Sequence, residues 1–127
     1  MRPLPRTAAD FLAESRVAAF TTLRPDGSPH TAPVRFTWDG VARVARILTV
    51  GGSRKVANLR RNGRVGLCQV DGFRWLTLEG TATVTSDAGR VADAAARYAR
   101  RYGSAPPAPP GRVLIEIAVD RTMSLNT

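Results

Sequence analysis

Three Asp-Gly pairs, Asp26-Gly27, Asp39-Gly40 and Asp71-Gly72, punctuate the first two thirds of the chain, and each stands between runs of residues with strand character. Asp-Gly makes a tight turn because the glycine accepts φ > 0 and the aspartate bonds to its own turn. Only antiparallel neighbours can be joined so closely. The chain is therefore committed to antiparallel hairpins before any other property is considered.

The runs between the turns agree. Residues 17–24, VAAFTTLR, lead through PDGSP into residues 30–39, where His30, Ala32, Val34, Phe36 and Trp38 alternate with Thr31, Pro33, Arg35 and Thr37. That period of two marks a strand with one apolar face. Residues 41–50 return as a third strand, residues 64–70 form a fourth, and residues 73–86 a long fifth, in which Gly80 marks a bend or bulge. Val113, Ile115, Ile117 and Val119 give a sixth strand one apolar face.

Helical periodicity occurs in three places. Residues 7–14 make a short amphipathic helix with Phe11 and Leu12 as its contacts and Thr7 or Asp10 as caps. Residues 87–102 form the strongest helix, with Val91, Ala94, Ala95, Tyr98 and Tyr102 on one face and Arg90, Arg97, Arg100 and Arg101 facing away. The proline-rich residues 104–111 then form a stiff connector. Six antiparallel strands in 127 residues dispose of their edges most easily by closing. The expected fold is mainly β, a six-stranded antiparallel barrel with peripheral helices, in one domain spanning residues 1–127. A two-fold homodimer is expected to extend the core and form a cleft, with Thr77, Glu79, Thr81 and Thr83 as a polar face left in water or covered by the second copy.

The third helix lies in TVGGSRKVANLRRNG, residues 49–63. A β-rich strand stops at Gly51-Gly52, Ser53 is placed as an N-cap, Val56 and Leu59 fall on one face, and Gly63 stands where a C′ glycine ends a helix. Arg54 and Lys55 bring two cations to the first turn, beside free N–H groups and the positive end of the helix dipole. Such a turn is suited to a phosphate. It matches neither the P-loop nor the dinucleotide fingerprint, so an ordinary capped surface helix is the competing reading.

Composition narrows the function. The net charge of +9, from 18 arginines and one lysine against ten acids, points to anionic partners. The arginines are dispersed, however, and the cluster at residues 54–64 lacks an aromatic stacking face, which argues against nucleic acid. One cysteine, Cys68, in an apolar run and one histidine make no metal site. No apolar run approaches the roughly 18 residues of a membrane span, and the first ten residues lack a signal-peptide core, so the expected location is the cytoplasm. The carboxylates show no pairing of the kind a hydrolase uses.

The blocks TTLRPDGSPHTAPV, TVGGSRKVANLRRN and QVDGFRWLTLEGTA, in this order and spacing, resemble the pyridoxamine 5'-phosphate oxidase-like split-barrel flavin and deazaflavin proteins. Within that superfamily the chain is similar to the small enzymes that use the deazaflavin coenzyme F420, including the biliverdin reductase branch. The resemblance implies a cofactor phosphate at Ser53, Arg54 and Lys55, with Asn58 and the backbone of Thr49, Val50, Gly51 and Gly52 nearby. It implies that His30, Thr31, Ala32, Pro33 and Val34 run beside the tricyclic ring, and that Trp75, Leu76 and Glu79 close the pocket from a second subunit. Read without the resemblance, Pro33 is an edge or bulge proline, Trp75 a core aromatic and His30 a structural residue.

No residue is assigned a catalytic role, which suits hydride transfer, where the reactive carbon belongs to the cofactor. The resemblance points to reduced coenzyme F420 as hydride donor; the acceptor expected is a conjugated, anionic small molecule, with Arg35 or Arg74 as candidate partners for its carboxylates. FMN is the alternative cofactor, and a non-catalytic carrier or sensor the alternative function.

Overall fold

The computed structural model describes residues 2–127. Its elements are α1 (Arg6–Ala13), β1 (Ala18–Leu23), β2 (Pro29–Val34), β3 (Thr37–Asp39), β4 (Val44–Val50), α2 (Arg54–Arg61), β5 (Arg64–Asp71), β6 (Arg74–Thr85), α3 (Ala88–Tyr102) and β7 (Arg112–Leu125). The strands form one sheet in the order β2-β1-β5-β6-β7-β4-β3, and every neighbouring pair is antiparallel.

Seven strands replace the six expected because the second breaks at Arg35-Phe36. Its halves, β2 and β3, are the two opposite edges of the sheet. Three Cα steps separate Val34 from Thr37, so the edges lie within about 11 Å there. The sheet must curl until its edges meet, and the result is a barrel split along one seam. Val34 and Phe36 are both buried across the break, so the apolar alternation continues through it and conceals it.

Helix α3 packs against β3, β4 and β7 and anchors the crossing residues. The Tyr102 hydroxyl accepts from the Phe36 N–H at 3.1 Å and lies 2.8 Å from the Arg16 carbonyl, to which it donates. Arg101, expected to face away, turns inward instead. Its guanidinium lies 4.5 Å over the Phe36 ring and donates to the carbonyls of Leu12 and Arg16 and to Gln69 Oε1. Arg97 also pairs, with Asp93 and Asp39. An arginine on the polar side of a helix can still reach inward where its stem lies along apolar surface.

Some local signals behave as their chemistry dictates and others do not: in the Asp39-Gly40 turn the left-handed residue is Arg43, at φ 56°, and not Gly40. Asp87 caps α3 by accepting from Arg90 N at 2.9 Å, and Gly103 ends it at φ 78°. The register shift in β6 falls at Glu79/Gly80. A Cβ on Gly80 would stand 2.1 Å from the Ala118 carbonyl oxygen, so only glycine fits the bulge. Gly63 is not left-handed. Its missing side chain instead permits the approach of Ala82, whose N–H donates to the Gly63 carbonyl at 2.8 Å. Helix α1 starts at Pro5 without a side-chain cap, so neither Thr7 nor Asp10 serves there.

Candidate functional site

The turn between β4 and α2 is built by local bonds. Ser53 N donates to the Val50 carbonyl at 3.1 Å, Gly51 N donates to the Gly111 carbonyl at 2.9 Å, and Ser53 Oγ accepts from Val56 N at 3.4 Å. Ser53 is thus the N-cap its position predicts. The Arg54 and Lys55 amides meet no acceptor among the described residues, as expected for the first turn of a helix. Neither Gly51 nor Gly52 is left-handed. Gly51 packs against Val113, whereas Gly52 borders open space that any side chain would enter.

In front of this turn lies a cavity of about 290 Å³. Pro33, Val34 and Arg35 form its edge-strand wall, Leu48, Thr49 and Val50 its floor from β4, and Lys55 reaches it from α2. Tyr98 of α3 and Pro106, Pro107, Pro109 and Arg112 close it. The split in the barrel creates this arrangement, because it sets the end of β2 beside β4.

The cavity is strongly cationic. Arg35, Lys55 and Arg112 line it and no carboxylate does. The acids are engaged elsewhere: Glu14 with Arg74 at 2.7 Å, Asp120 with Arg64 at 2.6 Å, and Asp39 and Glu116 with Arg46 at 3.1 and 3.3 Å. The Arg74 hydrogen bond holds the Glu14 carboxyl below its ordinary range, and Arg64 does the same for Asp120. Asp39 is lowered chiefly by the Ala42 N–H. Lys55 and Arg54 have no side-chain partner among the described residues, and Arg112 donates only to the Pro107 carbonyl at 3.1 Å.

The sequence-derived residues are partly gathered here. Pro33, Val34, Thr49, Val50 and Lys55 line the cavity, and Gly51, Gly52, Ser53 and Arg54 form the adjoining turn. Thr31 and Ala32 border a different recess with Ala19 and Cys68. His30 is half-buried in register with Thr22, and its Nδ1 has no partner. Asn58 is not brought to the turn: it is 2% exposed and donates to Thr22 Oγ1 at 3.0 Å, fastening α2 to β1. Trp75, Leu76 and Glu79 lie on β6, which β1 and β5 separate from β2. Leu76 is 1% exposed, and its side chain belongs to the core. Sequence reasoning placed Tyr98 on the packing face of α3 and the prolines in a connector, and so missed both as walls. The bond from Gly51 to Gly111, which returns the connector to the glycine turn, joins segments sixty residues apart.

Residues 4–126 match the pyridoxamine 5'-phosphate oxidase family. The chain belongs to that family. This family member is 49% identical over 116 residues to the F420H(2)-dependent biliverdin reductase of Mycobacterium tuberculosis (strain CDC 1551 / Oshkosh), covering 91% of this chain and 84% of the relative. Among solved structures it is similar to a conserved hypothetical protein from Mycobacterium tuberculosis, with a TM-score of 0.82 at 25% identity, over 96% of this chain and 84% of the other. It is also similar to an F420 reductase, with a TM-score of 0.78 at 23% identity over 94% and 98% of the two chains, a likeness of fold. Among the described residues of this oxidase-family chain no group of His, Cys, Asp and Glu could hold a metal ion, and no helix is long and apolar enough to cross a membrane.

Proposed function

We propose that the protein is an F420H2-dependent reductase acting on a conjugated, anionic organic molecule, with a biliverdin-like tetrapyrrole as the leading candidate. The observation that carries this reading is the cationic, carboxylate-free cavity beside the α2 N-terminus in a chain 49% identical to a biliverdin reductase of that dependence.

The residues fit a phosphate-bearing cofactor. The Arg54 and Lys55 amides point a helix N-terminus at the turn, two unpaired cations flank it, and the open face of Gly52 leaves room for phosphate oxygens. Ser53 stabilises the turn through its cap and the backbone of Thr49, Val50 and Gly51 shapes it. The edge strand β2 offers main-chain groups at His30, Thr31, Ala32, Pro33 and Val34 to the ring, and Pro33 is tolerated because it needs no partner on the outer side. Bound in reduced form, coenzyme F420 supplies a hydride. The protein then has to hold the ring, exclude water and set the acceptor carbon at about 3 to 3.5 Å. No carboxylate or histidine borders the cavity, which agrees with a reaction that asks little acid–base work of side chains.

A two-fold dimer is part of this proposal. Val70, Trp75 and Leu125 lie in one cross-strand row and Cys68, Thr77 and Met123 in the next. Val70, Leu125, Met123 and the turn residue Phe73 are 56%, 52%, 47% and 88% exposed, a concentration of apolar surface that a second copy would cover. Trp75 and Glu79 on this outward face are then available to the other subunit's site. Sedimentation of the wild type and of Val70→Glu checks this; a monomeric wild type refutes it.

The cofactor assignment is tested by incubating the protein with coenzyme F420 and with FMN, then removing free cofactor. Retention of F420, followed by biliverdin-dependent loss of the reduced cofactor's spectrum, is the expected result. Retention of FMN alone would favour a flavoenzyme, and retention of F420 without turnover on any acceptor a carrier.

A further inference from the structure

Along α3, Tyr98 and Tyr102 are four residues apart and share one flank, while Arg97 and Arg101 share another with Arg100 beside them. The helix therefore separates two cavities with no common lining residue. The first, walled by Tyr98, is the site described above. The second, of about 430 Å³, lies between α1, β3 and α3.

The second cavity has the makings of a binding site. Its lining carries three arginines and no carboxylate. Arg97 is paired with Asp39 and Asp93, and Arg101 is held by carbonyls and Gln69, but Arg100 has no partner among the described residues. Thr37 on the wall is 7% exposed and its hydroxyl bonds to nothing, and the Arg101 Nε is equally buried and unpaired. Both atoms are shut off from the cavity, so the cation on its lining left free to meet a ligand is Arg100. The remaining surface is apolar: Leu12 and Ala13 from α1 and the indole of Trp38.

We propose that this recess is a second ligand site, which takes a small organic anion with a flat apolar body, an aromatic carboxylate. The carboxylate is held by Arg100, and the ring lies against Trp38 and Ala13. The chemistry follows from the lining: a single unneutralised cation selects one negative charge, and the aromatic and aliphatic wall rewards a planar apolar group.

The test is titration of the full chain with 2-naphthoate and its neutral analogue 2-naphthamide, followed by tryptophan fluorescence and calorimetry. Naphthoate should bind at least tenfold more tightly than the amide. Arg100→Gln, an exposed position, should weaken it at least tenfold, and Ala13→Trp, which fills the mouth from α1, should abolish it. Lys55→Ala in the first cavity should leave naphthoate binding unchanged. Equal binding of acid and amide, or wild-type affinity in both Arg100→Gln and Ala13→Trp, would overturn the proposal. So would loss of binding in Lys55→Ala, which would place the anion in the first cavity.

Discussion

Arg35 donates a 2.8 Å hydrogen bond to the Tyr98 hydroxyl, and no carboxylate pairs with it among the described residues. Its guanidinium also lies 4.9 Å from the Tyr102 ring centroid, so an aromatic pair fixes its direction without neutralising it. Arg74, the other cation considered for substrate carboxylates, is bound by Glu14 and Asp71. The two arginines should therefore respond differently to removal. Arg35→Ala is expected to raise KM for an anionic acceptor about tenfold or more, the worth of one charge-assisted bond of about 1.5 to 3 kcal/mol. Arg74→Ala should lower the melting temperature and leave KM unchanged. Steady-state kinetics beside thermal melts separate the two.

Lys55 reaches the first cavity without any protein partner. Removal of its ammonium should weaken cofactor binding by about 1.5 to 3 kcal/mol, or roughly ten- to a hundredfold in Kd. Calorimetric titration of Lys55→Ala with coenzyme F420 measures this directly. Unaltered affinity would mean that the phosphate is held elsewhere.

The bulge at Gly80 leaves no room for a methyl group, since the obstructing atom is main-chain oxygen and cannot rotate aside. Gly80→Ala should destabilise the fold by about 3 kcal/mol or prevent its accumulation. Gly52→Ala, where nothing lies within 4 Å, should be nearly neutral in urea unfolding of the apoprotein. That pair of variants distinguishes a glycine required by the fold from one that serves a ligand.

Tyr102→Phe would leave the partly buried Phe36 N–H without its acceptor at the crossing between sheet edges. The expected loss is about 1 to 3 kcal/mol, read from urea midpoints. A change within error would show that water replaces the hydroxyl.

Asp39 supplies a pH dependence. The Ala42 N–H, Arg46 and Arg97 hold its carboxyl below the usual 3.8, against the opposing effect of burial. A group depressed in the folded state contributes stability that is complete above the unfolded value and is lost as pH falls through the folded one. Stability from this site should be flat above about pH 5 and decline below about pH 4. Asp39→Asn should be less stable than wild type at pH 7 and lose less on acidification, in unfolding curves taken from pH 7 to pH 3.

Much of the architecture was legible in particular residues. Ser53 and Asp87 cap the helices they precede, Gly80 sits at the register shift, and the first Asp-Gly turn joins the hairpin of β1 and β2. The break at Arg35-Phe36 was not legible, because Val34 and Phe36 keep the period of two while the chain passes from one sheet edge to the other. The family resemblance implied a place for Asn58 near the phosphate. The helix turns it inward to Thr22 instead.

The amino-acid sequence alone determined much of what depends on neighbours within a few positions: the first Asp-Gly turn, the Ser53 and Asp87 caps, the apolar face of the strands, and a helix start carrying Arg54 and Lys55. Tertiary structure decided which cations remain available to a ligand. Glu14 meets Arg74 across 60 positions and Arg64 meets Asp120 across 56, so the choice of which arginines are neutralised belongs to strand pairing. Coulomb attraction acts through space and is indifferent to chain order, which is why a count of charges foretold an anionic partner but not the cavity that would hold it.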